Sequence, residues 1–342
     1  MVVPGGMVAA VVAATELASS AGAEGREPLA VILLGPTASG KTALALALAR
    51  HLGAESPGVA GLGVEVVSCD SVAVYRGMDI GSAKPSAEER ACVPHHLLDV
   101  TDPDRDFTAG DYARAARAAM LAIAERGAVP LITGGTGLYL RALVDGLFTG
   151  PQRDAGLRER LAASHARHAA GWLHRILTRL DAAAAARIHA NDTPKLVRAI
   201  EVTLAARRPM SDLFAEGREA LTGFRLLRIG LDPPRPALYA RIDERAARMF
   251  ARGLAAETQG LLDRFGAVRP LGALGYRQAL ALVRGEMTES EAIAAAQQGH
   301  RNYAKRQMTW FRREPGVRWI EDFGDSAQAQ ETALRVVREA LR

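Results

Sequence analysis

Eight consecutive residues near the start of the chain have the types and spacing of a phosphate-binding loop. They are Gly35, Pro36, Thr37, Ala38, Ser39, Gly40, Lys41 and Thr42. In this pattern the glycines let backbone N–H groups curve around an anion, and Lys41 adds a full positive charge. The hydroxyl of Thr42 is a candidate ligand for Mg²⁺. The predicted chemistry is therefore the binding of a phosphate or diphosphate, and the pattern alone does not specify ATP.

The segments on either side of this phosphate loop predict how it is held. The apolar run Leu29–Leu34 precedes it and predicts a buried strand, and the Ala- and Leu-rich run Ala43–Leu52 follows it and predicts a helix. Strand, glycine-rich loop and helix in this order form the setting that the motif requires. The N-terminus of that helix adds partial positive charge beside a bound anion.

Strands and helices alternate beyond this motif. Further strands are predicted at Val64–Cys69, Val129–Thr133 and, far downstream, Phe224–Leu231, with a helix over Thr108–Arg126. The alternation predicts an α/β fold in which helices flank both faces of a parallel sheet. Such sheets bind ligands at the carboxyl ends of their strands, so the residues that follow each strand are candidate site residues.

Two polar segments follow predicted strands directly. Asp70-Ser71 follows the second strand, where the carboxylate could bind Mg²⁺, accept a proton from a nucleophile, or only cap a turn. Gly134–Tyr139 follows the third strand, where Thr136 could donate to a diphosphate or a nucleic acid, or belong to an ordinary turn. A third polar segment, Asp79–Pro85, either covers a substrate or only connects two elements.

The segment 151–222 differs from the rest of the chain because it predicts helices only. These helices are Leu157–Ser164, Gly171–Leu180, Ala182–His189 and Pro194–Ala206. Since a core strand follows, we interpret the segment as a helical insertion, with twelve basic and eight acidic residues. The predicted domains are a disordered, dispensable extension at 1–27, a catalytic core at 28–150 and 223–325, the insertion at 151–222 and a tail at 326–342. Within the core, residues 56–63 predict a flexible loop.

Composition excludes several classes of protein. The chain has 342 residues, a net charge of +5 and a pI near 9.5, which is compatible with a polyanionic partner. No apolar run is long enough to span a membrane, and Val8–Ala14 lacks the preceding basic residues of a signal peptide. With only Cys69 and Cys92, a disulfide framework is excluded and a reducing compartment, the cytoplasm, is expected. His95 and His96 point in different directions and are interpreted as structural rather than metal-binding.

A basic segment lies near the end of the predicted core. Arg301–Arg313 contains five basic and no acidic residues, interleaved with aromatic side chains. On a helix this pattern suits the backbone of a nucleic acid. The alternative is a solvated face with Trp310 packed in the core, and the pattern alone does not separate the two.

Taken in order, these segments resemble the tRNA dimethylallyltransferase family, also called the tRNA isopentenyltransferase or IPP transferase family. The resemblance extends from about Leu29 to Ile320. The segments that carry it are Gly35–Thr42, Asp70-Ser71 with Tyr75–Pro85, Pro94–Asp99, Gly134–Leu140, Arg198–Val202, Leu274–Gln278 and Lys305–Trp310. A phosphate loop alone occurs in hundreds of families, whereas seven such segments in register are highly specific.

The resemblance implies a fold and an activity. The fold would be P-loop NTPase-like, with a helical insertion domain. The activity would be transfer of a dimethylallyl group from dimethylallyl diphosphate to N6 of the adenosine 3′-adjacent to the anticodon, in tRNAs that read codons starting with U. Mg²⁺ is the implied cofactor, and the anticodon stem-loop of tRNA is the implied partner of a monomeric enzyme that does not bind membranes. A small-molecule kinase is an alternative that leaves the basic insertion unexplained. A non-catalytic, nucleotide-gated RNA-binding protein is another, and it would not need Asp70 beside the phosphate loop.

The resemblance also implies roles for individual residues. Asp70 matches the general base, with Lys41 and Thr136 as the other catalytic residues, and the phosphate loop would hold the diphosphate with Arg241 or, one turn later, Arg245. The residues implied to bind tRNA are Asp70, Ser71, Val72, Ala73, Thr136, Arg158, Pro194, Lys195, Leu196, Val197, Arg198, Gly275, Tyr276, Arg277, Lys305, Arg306, Gln307, Met308, Thr309, Trp310, Phe311 and Arg312. The chain departs from the family pattern at Ala73, where many members have Gln, and at Pro194-Lys195, where Gln-Arg is usual. Its loop at 56–63 is also longer than usual.

Overall fold

The computed structural model describes residues 26–54, 63–148, 150–151 and 153–342. The first 25 residues of the predicted extension 1–27 and residues 56–62 of the predicted loop 56–63 lie outside this described part of the chain.

Within the described residues, six strands form one parallel sheet with the order β3-β2-β4-β1-β5-β6. The strands are β1 (Leu29–Leu34), β2 (Val64–Cys69), β3 (His95–His96), β4 (Val129–Gly134), β5 (Arg225–Leu231) and β6 (Val317–Ile320). All six residues of β1 are buried, as expected of a central parallel strand covered on both faces. The predicted α/β fold is confirmed. Strands β3 and β6 were not predicted, because their two and four residues are too few to show the sequence pattern of a strand.

The helices are numbered in chain order. They are α1 (Lys41–Ala54), α2 (Ala87–Cys92), α3 (Ala109–Glu125), α4 (Gly137–Val144), α5 (Ala155–His165), α6 (Trp172–Leu180), α7 (Ala182–Ala185), α8 (Thr193–Ala206), α9 (Met210–Ala215), α10 (Arg235–Ala251), α11 (Leu254–Phe265), α12 (Tyr276–Val283), α13 (Glu289–Phe311) and α14 (Ala327–Leu341). A short 3₁₀ helix, Arg269–Gly272, precedes α12.

Strand register aligns the ends of the three strands that matter for the site. Leu33 of β1 pairs with Thr133 of β4, and Cys69 of β2 pairs with Gly134 of the same strand. The residues that follow these strands therefore lie side by side at one edge of the sheet, as the parallel arrangement predicts.

The described chain divides into two compact units. One comprises the described residues of Met1–Leu143 together with Thr222–Arg342, and contains the sheet. The other is Val144–Leu221, which contains α5–α9 and has its own apolar core, including Leu173, Leu177 and Ile200. The helical segment thus begins a few residues before the predicted start at 151.

The last residues of the chain form a helix where a tail was predicted at 326–342. Ala329, Ala333 and Val337 of α14 are fully buried against the same core as Leu44 of α1. Ala-rich spacing at every fourth residue gives this helix a buried face, which the description as a tail overlooked. At the other terminus, Glu27 belongs to the folded part, since its carbonyl accepts a hydrogen bond from Arg225 Nε at 3.1 Å.

Candidate active site

A cavity of about 670 Å³ lies at the carboxyl ends of β1, β2 and β4. The phosphate loop residues Thr37–Thr42 line it together with Asp70 and Gly135, and α10 closes it with Arg241 and Arg245. The sheet unit alone therefore brings together three loops that the sequence separates widely.

The phosphate loop presents positive charge to this cavity. Lys41 Nζ donates to the carbonyl oxygens of Gly35 at 2.9 Å and Pro36 at 2.8 Å. Burial, and next the charge of Arg245, lowers the pKa of Lys41 from 10.5 to about 7, while Asp70 acts in the opposite direction. An anionic ligand at this position would favour the charged amine and raise that pKa again.

The turn into α1 is packed too closely for a side chain. Gly40 has φ +88°, and a Cβ there would lie 2.8 Å from the backbone nitrogen of Gly324, in the loop after β6. The neighbouring Ser39 is 0% exposed, and its hydroxyl has no hydrogen-bond partner among the described residues. A buried hydroxyl without a partner in a phosphate loop is consistent with a ligand that supplies the missing bond.

The two candidate arginines of α10 have different surroundings. Arg245 Nη1 donates to Thr37 Oγ1 at 3.0 Å, so it lies against the phosphate loop itself. Arg241 Nη1 instead pairs with Asp325 at 2.7 Å, and its guanidinium stacks over the ring of Phe323 at 3.7 Å. The sequence predicted Arg241 as the diphosphate ligand but left Arg245 open as the alternative. The two residues lie on the same helix face, because they are spaced i, i+4. The contact with the phosphate loop favours Arg245.

Asp70 caps its own turn and also lines the cavity. Its Oδ1 accepts hydrogen bonds from the backbone N–H groups of Val72 at 2.7 Å and Ala73 at 3.1 Å. No hydrogen bond within the described residues reaches Oδ2. The capping and the functional interpretation are therefore compatible, because each uses a different oxygen.

Thr136 connects the residues after β4 to the residues after β2. Its Oγ1 accepts from the backbone N–H of Ser71 at 3.0 Å and lies 3.2 Å from Ser71 Oγ, to which it donates. The Thr136 N–H also donates to the carbonyl of Cys69 at 3.1 Å. These bonds hold Thr136 next to the turn that carries Asp70.

The loop Asp79–Pro85 is a fixed wall of the cavity. The Glu257 carboxylate of α11 accepts hydrogen bonds from the N–H groups of Asp79, Ile80 and Gly81, the shortest at 2.9 Å. The side chain of Lys84 is buried and donates to the Tyr75 carbonyl and to the carboxylates of Asp79 and Asp99, each at 2.6 Å. Ser82 to Pro85 then line the cavity, so this loop does more than connect two elements.

The segment Lys305–Arg312 on α13 has two faces. Lys305, Arg306, Thr309 and Arg312 are exposed, and Arg312 Nη2 pairs with Asp232 at 2.8 Å. Met308 and Trp310 are half-buried, whereas Gln307 and Phe311 are buried. The exposed face suits a polyanion, whereas the buried Gln307 side chain borders the cavity and the Phe311 side chain packs in the interior.

The other predicted RNA segment of the sheet unit is also only partly accessible. Arg277 is exposed at the start of α12, while Gly275 is buried. The side chain of Tyr276 is fully buried, and its hydroxyl donates to Glu257 Oε1 at 2.6 Å. Tyr276 therefore supports the Asp79–Pro85 wall instead of facing a partner.

In the helical unit, two arginines that are predicted to bind tRNA donate hydrogen bonds to a buried carboxylate. Glu201 is 0% exposed and accepts from Arg158 Nη2 and Arg198 Nη1, each at 2.7 Å. Both arginines remain partly exposed. Nearby on α8, Pro194 and Lys195 are exposed, Val197 is half-buried and Leu196 is buried.

The donor set of the cavity fits Mg²⁺ in one specific way. Among the described residues no group of three or more His, Cys, Asp or Glu side chains could hold a metal ion. Thr42 and Asp70 nevertheless line one cavity, and Mg²⁺ is usually bound by one or two protein oxygens together with substrate phosphates and water. His96 is not part of such a set, since its Nε2 lies 2.6 Å from Glu65 Oε2 on β2.

Comparison with known proteins decides the family. A family model described as IPP transferase matches residues 73–314. A tRNA dimethylallyltransferase of Koribacter versatilis is 58% identical over 313 residues, which is 91% of this chain and 99% of that protein. The chain belongs to the IPP transferase family. A second tRNA dimethylallyltransferase, from Solibacter usitatus, is 51% identical over 91% of this chain and 98% of its own.

Solved structures agree with this family assignment. The full-length tRNA isopentenylpyrophosphate transferase of Bacillus halodurans is 34% identical, with a TM-score of 0.65, and covers 92% of this chain and 97% of its own. A eukaryotic dimethylallyltransferase acting on tRNA shares the fold, with 21% identity and a TM-score of 0.76. The alignment covers 92% of this chain and 79% of that protein. Membership of this family makes the chain a prenyltransferase, and the kinase and non-catalytic alternatives lose their support. None of the described helices is long and apolar enough to cross a membrane.

Proposed function

We propose that this protein transfers a dimethylallyl group from dimethylallyl diphosphate to N6 of the adenosine 3′-adjacent to the anticodon, in tRNAs that read codons starting with U. The products are N6-isopentenyladenosine in tRNA and diphosphate. The observation that carries the proposal is the convergence of the phosphate loop, Arg245 and Asp70 on one cavity in a member of the IPP transferase family.

The phosphate loop and its cations act on the leaving group. Cleavage of the allylic C–O bond puts negative charge on the diphosphate, and Lys41, Arg245 and the N-terminus of α1 stabilise that charge in a partly closed site. The unpartnered Ser39 hydroxyl is a further donor at the same place. Mg²⁺, held by Thr42 together with the diphosphate, would supply additional charge neutralisation.

Asp70 acts on the nucleophile. The N6 nitrogen forms a bond to C1 of the dimethylallyl group as the C1–O bond breaks, and the proton that N6 loses passes to Asp70 Oδ2. Because Oδ1 is held by Val72 and Ala73, the carboxylate keeps its orientation while Oδ2 acts as general base. Thr136 keeps the turn that carries Asp70 in place through Ser71.

Two features of the substrate require RNA-binding surfaces outside the cavity. Adenine N6 lies within a stacked anticodon loop, so the base must be turned out before it can reach Asp70. The exposed face of α13, with Lys305, Arg306 and Arg312, suits the phosphates on one surface of the sheet unit. Arg158, Lys195 and Arg198 give the helical unit a second basic surface. A monomer in the cytoplasm is the expected form of the enzyme.

Incubation with dimethylallyl diphosphate and total tRNA tests the proposal. Nuclease digestion and mass spectrometry should detect N6-isopentenyladenosine, and diphosphate should be released in equal amount. Sequencing of the modified tRNAs should place the change beside anticodons that read U-initial codons. Phosphorylation of a small molecule by ATP without prenylation of RNA would contradict the proposed donor and reaction.

A further inference from the structure

Gln307 stands apart from its neighbours on α13. The segment around it is basic and exposed, whereas the Gln307 side chain is 4% exposed and turned towards the sheet. It borders the cavity, as does Tyr303 one turn earlier on the same helix. A buried amide needs partners for both its carbonyl and its NH₂ group, so its contacts indicate what it holds in place.

The two ends of the Gln307 amide bond to two different loops. Its Oε1 accepts from the backbone N–H of Thr37, in the phosphate loop, at 2.8 Å. Its Nε2 donates at 3.0 Å to the carbonyl of Gly135, in the segment Gly135-Thr136 that we call the β4 loop. Tyr303 Oη donates to the same carbonyl at 3.0 Å. Gln307 therefore joins the loops that follow the adjacent strands β1 and β4.

The packing around this bridge leaves little freedom. A Cβ on Gly135 would lie 2.2 Å from Gln307 Nε2, and a Cβ on Gly137 would lie 2.4 Å from the ring of Trp310. The absence of side chains at these two positions lets α13 approach the β4 loop closely enough for the hydrogen bonds to form.

The bridge continues to the proposed base. Gly135 is followed by Thr136, which bonds to Ser71, and Ser71 follows Asp70. The position of the β4 loop relative to the phosphate loop therefore sets the position of Asp70 relative to the diphosphate. A misplacement of reacting groups by about 1 Å can cost about 10²-fold in rate.

We propose that Gln307 is a positioning residue that fixes the separation between the phosphate loop and the β4 loop, and thereby between the leaving group and Asp70. This inference rests on the proposed function, because it concerns the geometry of that reaction. Gln307 acts through its hydrogen bonds to Thr37 and Gly135.

Two substitutions of similar shape test the two ends of the amide. Gln307→Met removes both hydrogen bonds, and Gln307→Glu keeps the acceptor for Thr37 but sets an oxygen against the Gly135 carbonyl. We expect kcat at saturating substrates to fall by about 10–100-fold in both variants. The Kd for tRNA should stay within about threefold of wild type, because the exposed face of α13 is unchanged. Gln298→Glu, an exposed change on the same helix, is the matched control and should leave kcat unchanged.

The pH dependence of Gln307→Glu separates positioning from general damage to the fold. Burial raises the pKa of a carboxyl group, and the protonated form regains an O–H donor for the Gly135 carbonyl. The ratio of the variant's kcat to that of wild type should therefore rise as pH falls, while the same ratio for Gln307→Met stays flat. Taking the ratio removes the titration of Asp70, which wild type and variants share.

Several outcomes overturn the inference. Wild-type kcat in Gln307→Met would exclude a positioning role. A rise in tRNA Kd of more than about tenfold with unchanged kcat would make Gln307 an RNA ligand instead. If Gln307→Met does not fold, a pH-independent ratio for Gln307→Glu still overturns it. Failure of wild type to prenylate tRNA contradicts the proposed function, and that result is distinct from active wild type with variants equal to it.

Discussion

In the helical unit a buried charge is paired with opposite charges, whereas in the cavity of the sheet unit the buried cations contact neutral oxygens. Glu201 is enclosed by Arg158, Arg198 and the backbone N–H of Asp154. Burial acts to raise the pKa of Glu201, but the hydrogen bonds from the two arginines outweigh it and lower that pKa to about 2. The Glu201 carboxylate is therefore satisfied within the protein, while the two arginines stay partly exposed and exceed it by one positive charge.

The phosphate cavity has the opposite arrangement. Among the residues that the structure describes, Lys41 bonds to carbonyl oxygens and Arg245 to the Thr37 hydroxyl, so both cations contact neutral partners. Asp70 is the nearby acid, and it does not prevent the pKa of Lys41 from falling to about 7. Cations buried beside neutral oxygens are unfavourable without an anion, and such imbalance is typical of a binding site. Paired burial, as at Glu201, is typical of a scaffold.

Asp70→Asn is expected to have the largest effect. The amide keeps the Oδ1 contacts to Val72 and Ala73 but cannot take the N6 proton, so the single-turnover rate should fall by about 10²–10⁴-fold. The Kd for tRNA, measured by fluorescence titration, should change by less than about threefold. Asp104→Asn, on an exposed loop, is the control. A rate within about threefold of wild type would remove Asp70 from the role of base.

The variants Arg245→Ala and Arg241→Ala compare a cation that contacts a neutral hydroxyl with one that pairs with a carboxylate, by their effect on use of the donor. Arg245→Ala should lower kcat/KM for dimethylallyl diphosphate by about 10²-fold, because it removes a cation that lines the cavity beside the phosphate loop, where the leaving group is proposed to bind. Arg241→Ala should cost less than about tenfold, because Arg241 already pairs with Asp325. Initial rates at varied donor concentration decide between them, and the reverse order would assign the diphosphate to Arg241.

Glu201→Gln tests the neutralised cluster. The variant removes charge-assisted hydrogen bonds from two arginines that are partly exposed and can be solvated, so the free energy of unfolding of the helical unit should fall by about 1–3 kcal/mol. Hydrogen exchange of α5 and α8 would report it, with the exposed Glu159→Gln as control. Since the folded-state pKa of about 2 lies below the ordinary 4.5, the stabilisation is present above about pH 4.5 and is lost towards pH 2. Equal exchange in both variants would contradict a scaffold role.

The lowered pKa of Lys41 predicts that the enzyme takes up a proton when the donor binds. The free enzyme has a pKa of about 7 for this amine, and the diphosphate favours its charged form, so affinity for the donor should weaken by up to about tenfold per pH unit above 7. Calorimetry in buffers of different ionisation enthalpy measures the protons taken up near pH 7. Lys41→Arg, which stays charged, should abolish the uptake. Binding without uptake in wild type would show that Lys41 is already charged in the free enzyme.

The double variant Lys305→Ala/Arg312→Ala should have the smallest effect. It should raise the Kd for tRNA and flatten its salt dependence by up to about two units if both side chains touch phosphates. Because Arg312 also pairs with Asp232, its share should be smaller than that of Lys305. Titration at several salt concentrations measures both quantities, and KM for the donor serves as the control. Unchanged tRNA affinity in a folded variant would make this surface a solvated face.

The sequence predicted the sheet and the cavity walls well because their signals are local. An apolar run before a glycine loop predicts β1 and α1, and the position of Asp70 after a strand predicts that it faces the cavity. Thr136, predicted in the same way, does not line the cavity and instead bonds to Ser71. Burial of single side chains within an exposed segment could not be predicted in the same way. Gln307 and Tyr276 belong to motifs that also contain basic residues, and only the packing of α13 and α12 shows which side chains turn inwards.

The pairing of arginines was equally hidden from the sequence. Arg158 lies more than 40 residues before Glu201, so their contact depends on how α5 packs against α8. Arg241 and Arg245 are equivalent by helical spacing, and they differ only because Asp325 and Phe323 reach one of them from the loop after β6.

The burial of α14 has a consequence for how the protein is made. This helix follows every other described element in the sequence, yet it packs against α1 and the apolar core around β1, which come first. During translation the sheet unit therefore cannot complete its core until α14 has left the ribosome. The helical unit is continuous in sequence and can form its own core earlier. We expect ribosome-bound chains to gain protease resistance in Val144–Leu221 first, and in the sheet unit only after α14 has emerged.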